Sequence, residues 1–362
     1  MSDVAYQQLA EVLNTLPNGF PPTEDGIEIR ILKRIFDPDE AELFCSLKLT
    51  FETPEQIAQR TGRPLDEIAA KLETMREKGQ IFGVEIDGTR IYKMVPWVFG
   101  IYEFQMPHLD RELAEMCEEY AGTFGRELFS NKPQLMQVIP IETEIPGEQQ
   151  PLSYERVSSI IENSQSFMYF DCICKKEKGL LGQPCERSMQ VCTAYAPIPG
   201  VFDNYPHGTT MTKEEAYELL TKTEEEGLVH LTWNVQSGHY FICNCCGCCC
   251  GVLRGINELG IDASLVINSN HYAQIDPDLC SACGVCAEER CQVSAIEEGD
   301  EFYRVLQEKC IGCGLCITTC PTEAISLIRK PEAEIETPPV DEKDWFKVRA
   351  RQRGVDISRF MG

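Results

Sequence analysis

Long apolar runs are missing: none approaches the roughly 20 residues that a membrane span requires. The opening MSDVAYQQLAEVL has no basic segment followed by an apolar one, so no secretory signal is expected and the chain reads as cytoplasmic. There is no G-x-G-x-x-G fingerprint, no Walker A loop and no G-x-S-x-G elbow. Nothing therefore marks a hydride-transfer, nucleotide or acyl-transfer pocket. Histidine is scarce, with five in 362 residues; His207 and His239 lie near cysteine segments but read as surface or hydrogen-bonded residues. Basic residues are also few. Against 58 Asp and Glu stand 33 Lys and Arg, a net charge of −25. A field of that sign repels nucleic-acid phosphates and anionic membranes and favours partners with basic patches.

Cysteine is abundant instead, at 20 residues. A disulfide scaffold is a poor explanation. The chain is long enough not to need staples, and its cysteines cluster at metal-ligand spacings. Reduced thiols in an oxygen-poor, anaerobic cytoplasm fit better.

The length suggests two or three domains, and the pattern is α+β. Residues 1–100 read as a helical unit ending in a hairpin. Thr53-Pro54-Glu55-Gln56 carries a helix N-cap with proline at the first position. The next helix keeps Ile68, Leu72 and Met75 on one face, and Gly79 stops it. Two strands then flank Asp87-Gly88. This order resembles the winged helix–turn–helix fold. Its recognition-like helix argues against DNA, because Glu55 to Lys93 holds seven acidic and seven basic residues. A scaffold or docking role is expected, with a redox-sensing DNA-binding regulator as the alternative. Residues 101–150 form a helical connector in which Cys117, like Cys45 earlier, reads as core filler. Residues 151–270 form a cysteine-rich α+β domain, with a helix from about Tyr154, strand character in FMYFDCIC, and a helix after the cap Thr212. Residues 271–330 hold two cysteine runs. Residues 331–362 read as an extended, proline-bearing tail whose Trp345, Phe346 and basic end anchor it, by preference on this chain.

The first run, CSACGVCAEERC, places Cys280, Cys283, Cys286 and Cys291; the second, CIGCGLCITTCP, places Cys310, Cys313, Cys316 and Cys320. Thiolates two residues apart on a tight loop wrap one face of an iron–sulfur cube, and a more distant cysteine closes the shell. The runs repeat, with first cysteines at 280 and 310. This region resembles the bacterial dicluster ferredoxins. The resemblance implies two [4Fe-4S] clusters with crossed ligands: Cys280, Cys283, Cys286 and Cys320 on one, and Cys310, Cys313, Cys316 and Cys291 on the other. The first run departs from the family pattern, with four residues before Cys291 and Gln292 in place of proline.

Ten further cysteines lie in the middle domain. Cys172, Cys174, Cys185 and Cys192 come first, and Cys172 and Cys174 are expected on one face of a strand. Cys243, Cys245, Cys246, Cys248, Cys249 and Cys250 follow. Adjacent cysteines cannot all aim at one centre, so this segment serves two sites, or one site plus packing. Cys245-Cys246-Gly247 is similar to the cysteine-rich domain of heterodisulfide reductases, while the other spacings depart from that family. At least one further iron–sulfur cluster is expected here, with zinc as the main competitor and a reactive dithiol third. The whole reads as an electron-transfer protein, a subunit or partner of a larger oxidoreductase whose other component carries a flavin or catalytic metal. Oligomerisation, and an active site of the chain's own in the middle domain, stay open.

Overall fold

The computed structural model describes residues 2–141 and 156–362. Five helices open the chain: α1 (Ser2–Thr15), α2 (Ile27–Ile35), α3 (Pro38–Phe44), α4 (Pro54–Thr61) and α5 (Leu65–Glu77). Local chemistry sets their ends. Asp37 and Glu40 form a capping box on α3, and Thr53 and Gln56 form another on α4. Gly62 ends α4 in the left-handed conformation. Ile68, Leu72 and Met75 of α5 are fully buried. The hairpin β1 (Phe82–Ile86) and β2 (Thr89–Lys93) turns through Asp87 and Gly88, both at positive φ.

A short helix α6 (Tyr102–Phe104) and the long α7 (Arg111–Phe129) lead into the middle of the molecule. There, strands β3 (Met136–Ile139), β4 (Ser166–Phe170), β5 (Cys192–Ala196), β6 (Thr209–Met211), β7 (Val229–Trp233), β8 (Phe241–Cys245) and β9 (Ile267–Asn268) form one sheet. Its order is β6-β4-β5-β8-β7-β3-β9, antiparallel throughout except for β3 beside β9. Helices α8 (Val157–Glu162), α9 (Ile173–Leu180), α10 (Lys213–Glu225), α11 (Gly251–Asn257) and α12 (Ala263–Val266) connect the strands. Thr212 and Glu215 box the start of α10. The tandem runs sit between two further strand pairs, β10 (His271–Ile275) with β13 (Ile325–Arg329) and β11 (Ile296–Glu298) with β12 (Tyr303–Val305). Helix α13 (Glu342–Arg353) follows.

Three expectations change. Cys172 and Cys174 are not on a strand. β4 stops at Phe170, Cys172 caps α9, and Cys174 lies in its first turn, because the Lys- and Glu-rich segment that follows favours helix. Segment 101–150 is more than a connector, since its β3 is an inner strand of the middle sheet. Tyr154 and residues 142–155 of the expected boundary lie outside the described residues. The tail is not simply extended. Asp341 caps α13, Gly354 closes it in the left-handed region, and Trp345 and Arg349 are both 0% exposed. Arg349 donates to the carbonyls of Pro17 (3.1 Å), Asn131 (2.6 Å) and Pro133 (2.5 Å), and Trp345 to that of Gln134 (3.0 Å). One apolar core consequently runs from Ala5 to Phe360.

Candidate metal centres

The eight cysteines of the tandem runs line two separate cavities. Cys280, Cys283, Cys286 and Cys320 surround one with about 320 Å³ of empty space. Cys291, Cys310, Cys313 and Cys316 surround the other, with about 340 Å³. Each cavity thus takes three cysteines from one run and the last cysteine of the other. Positive φ at Gly284, Gly312 and Gly314 lets the loops turn tightly enough for this. At Gly312 a Cβ would meet the His271 carbonyl oxygen at 2.2 Å.

Backbone amides point at the sulfurs. Ala273 N–H donates to Cys310 Sγ (3.4 Å), Ala295 to Cys291 Sγ (3.1 Å) and Ala324 to Cys320 Sγ (3.3 Å). The last two bonds are the same contact in the two halves of the repeat. Such donors favour the thiolate that a metal requires. Cys320 lies below the ordinary thiol range because amide donors outweigh a burial that acts the other way. Cys313 is pushed up to about 12 by burial.

The extra residue of the first run has a specific home. Residues Cys286–Arg290 make a π-turn in which Cys291 N–H donates to the Cys286 carbonyl (3.1 Å). Cys291 still reaches the cavity. Gln292, replacing proline, uses the side chain that proline lacks: its Oε1 accepts from Gly247 N–H (2.9 Å), and its carbonyl accepts from Asn257 (2.9 Å). The tandem region is thereby fastened to the middle-domain cysteine segment. Arg290, buried beside it, bonds the carbonyls of Leu315 (3.1 Å), Glu225 (2.9 Å) and Glu224 (2.9 Å).

The ten middle-domain cysteines fall into two overlapping sets. Cys185, Cys246, Cys248 and Cys249 bring their sulfurs within 4.8 Å of one another. Individual distances are 3.8 Å for Cys185–Cys246, 3.9 Å for Cys185–Cys248 and 3.6 Å for Cys248–Cys249. A tetrahedral metal–thiolate bond of about 2.3 Å sets sulfur–sulfur edges of about 3.8 Å, so this tetrad could hold one metal ion. Cys246 is held down to about 5, first by the Cys249 thiol donating to it, with Lys175 assisting. Cys172, Cys174, Cys192, Cys243, Cys245 and Cys250 lie outside that group and line a larger chamber, which Cys246 and Cys249 of the tetrad also border.

Several chamber residues carried no sequence signal. Cys117, read as filler, lies on its wall. Burial raises Glu103 to about 8 and Glu177 to about 7; Glu103 accepts from Gly100 N–H (2.7 Å), and Tyr102 donates to Glu177. Each becomes recognisable only when the fold brings residues 97–104, α7 and α9 around the same space. His207 and His239 line none of these sites.

Comparison with known proteins bears on the last quarter of the chain. Residues 303–326, which contain the whole second run, match the 4Fe-4S binding domain family. An uncharacterised ferredoxin of Methanocaldococcus jannaschii is 35% identical over 86 residues, covering 24% of this chain and 49% of that protein. Ferredoxin-1 of Caulobacter vibrioides is 38% identical over 64 residues, covering 17% of this chain and 48% of its own length. The chain spans about half the length of the curated relatives it matches. Among the described residues no helix is long and apolar enough to cross a membrane. A 4Fe-4S ferredoxin-type region therefore lies near residues 303–326, accompanied by a separate four-cysteine group that could hold a metal in the middle of the molecule.

Proposed function

We propose that this chain relays single electrons through two [4Fe-4S] clusters in residues 271–330, as a component of a larger oxidoreductase whose partner carries a flavin or catalytic metal. The observation that carries this reading is the division of eight cysteines between two small cavities, each closed by the fourth cysteine of the opposite run. The named ferredoxin relatives support it over the same region. When bound, each cluster supplies a site that takes up and releases one electron.

The protein's own residues do the rest. The first cavity is the outer one: Cys283 and Leu279 are exposed, and Asp276, Asp278, Glu288, Glu289 and Glu298 are exposed in the flanking segments. The second is the inner one, with Cys313 accepting Ile141 N–H at its carbonyl (3.1 Å) and Arg290 on its wall. A basic docking patch on the partner suits the outer side, and the Gln292–Gly247 contact leads inward to the tetrad. The tetrad takes a single thiolate-bound ion, zinc or iron, by its sulfur spacing.

The N-terminal unit serves as a winged-helix-like docking element rather than a DNA reader. Lys71 pairs with Asp39 (2.6 Å), Lys78 with Asp37 (2.9 Å) and Glu40 (2.7 Å), and Arg90 with Glu73 (2.7 Å), so its cations are spent internally. The test is electron transfer from the reduced, anoxically purified chain to a basic acceptor such as cytochrome c. The expected result is rapid transfer that slows with added salt and is lost in Cys283→Ser, which removes the outer cluster's absorption. Transfer unaffected in that variant would reject the reading.

A further inference from the structure

The tetrad joins two segments that lie far apart in the sequence, the stretch carrying Cys185 and the turn carrying Cys246, Cys248 and Cys249. Both segments grip the same short piece of the tandem region. The Cys185 stretch is tied to the end of α10. Ser188 N–H donates to the Glu226 carboxylate (2.8 Å), the Ser188 hydroxyl donates to its other oxygen, and Arg187 Nε donates to the Glu226 carbonyl (3.1 Å). The two carbonyls just before it, those of Glu224 and Glu225, each accept from Arg290 (2.9 Å). The 246–249 turn is tied through Gly247, whose N–H donates to Gln292 Oε1 (2.9 Å). Asn257, the last residue of α11, braces that contact by donating to the carbonyls of Gly247 (3.3 Å) and Gln292 (2.9 Å).

Cys291 stands between the two grips. It is the cysteine that the first run contributes to the inner cavity. Arg290 before it and Gln292 after it are each 8% exposed, and Gln292 Nε2 donates back to the Arg290 carbonyl (3.3 Å). The place of Cys291 is therefore set from both sides by the segments that the tetrad brings together.

That joint calls for an ion. Residues 181–191 contain no helix or strand. Thiols are weak hydrogen-bond partners, so sulfur contacts alone hold Cys185 to the turn feebly. Four thiolates on one ion form a cross-link that contributes folding energy outright. The sulfur spacing selects a single ion. Among the described residues only the tetrad draws three or more sulfurs within 4.8 Å of one another, and the foursomes of the two tandem cavities do not. Cys248 is exposed, so the ion is reached from solvent without unfolding the chain.

We propose that the tetrad is a structural metal site whose ion, a divalent metal that accepts four thiolates, clasps the Cys185 stretch to the 246–249 turn and thereby fixes Cys291 on the inner cluster. Retention of the inner cluster then depends on an ion outside it. The inference rests on the relay reading, which supplies that cluster.

The experiment uses the full chain, purified without oxygen, in two backgrounds: Cys283→Ala/Cys320→Ala, which keeps the inner cluster, and Cys310→Ala/Cys313→Ala, which keeps the outer one. Each is compared with and without Cys248→Ala, by zinc, iron and sulfide content and by the rate at which an iron chelator removes the remaining tandem signal. Cys248→Ala should cost about one zinc or one iron per chain and no sulfide. It should speed loss of the inner cluster about 10–100-fold and leave the outer cluster's rate unchanged. Gln292→Ala should speed inner loss in the same way while the tetrad still binds its ion. Equal acceleration in both backgrounds would mark a general support of the fold and overturn the proposal. So would an unchanged inner rate, a tetrad without an ion, or loss of sulfide together with several irons. Should Cys248→Ala fail to fold, Gln292→Ala decides by the same comparison of backgrounds. Wild type without tandem clusters overturns the relay reading and the clasp together; clusters present and equally retained overturn the clasp alone.

Discussion

Gln292 occupies the position that Pro321 holds in the second run, and the exchange converts a chain stop into a fastening. Its side-chain oxygen holds Gly247, whose absent Cβ lets the two segments meet: a methyl group there would lie 2.1 Å from the Gln292 carbonyl oxygen. That obstacle is backbone and cannot rotate away. Gly247→Ala should therefore destabilise the protein by about 1–3 kcal/mol, read as a lower urea midpoint, and should loosen the tetrad, read as faster metal loss to a chelator. Glu73 supports a pH prediction. Arg76, with Tyr92 and Arg90, holds its carboxylate down to about 2, well below an ordinary glutamate. A depressed carboxylate stabilises the fold above its unfolded pKa, and the contribution fades as pH falls from about 4.5 towards about 2. The urea midpoint of Glu73→Gln should trail the wild type at neutral pH, and the gap should narrow through that acid window.

At the scale of elements, α13 is the clearest structural staple. Arg349 bonds backbone carbonyls from the loop after α1 and the segment after α7. Arg349→Met would leave buried carbonyls without a donor, at a cost of about 2–3 kcal/mol. A lower melting temperature with unchanged cluster absorption checks this. The reason α13 escaped sequence reading is physical. Its EKDWFKVRARQR pattern buries an arginine beside a tryptophan, so the apolar face is interrupted by charge that only tertiary carbonyls can satisfy. The capped helices were legible because their signals are local: Thr53 with Gln56, Thr212 with Glu215, and the Asp87-Gly88 turn. The crossed grouping of the tandem cysteines was implied by the resemblance to dicluster ferredoxins, not by spacing alone. The middle-domain cysteines were not separable in advance. Which of the adjacent thiols reach the tetrad depends on where β8 ends and on Cys172 starting a helix instead of extending a strand. Cys117, Glu103 and Lys175 left no local trace at all.

Across the whole molecule, the continuous core joins the N-terminal helices, the seven-stranded sheet and α13. The tandem cavities are held against that body by Arg290 and Gln292. Outer cavity, inner cavity, tetrad and chamber are thus parts of one packed unit. The central claim is the crossed pair of cubes, and the most direct measurement is iron content with paramagnetic resonance on two double variants. Removing Cys283 and Cys320 together, as Cys283→Ala/Cys320→Ala, should eliminate a single cluster, about four irons, and leave the other signal intact. Removing Cys283 and Cys310, as Cys283→Ala/Cys310→Ala, should eliminate both clusters. Equal losses in the two variants, or no loss in either, would contradict the account.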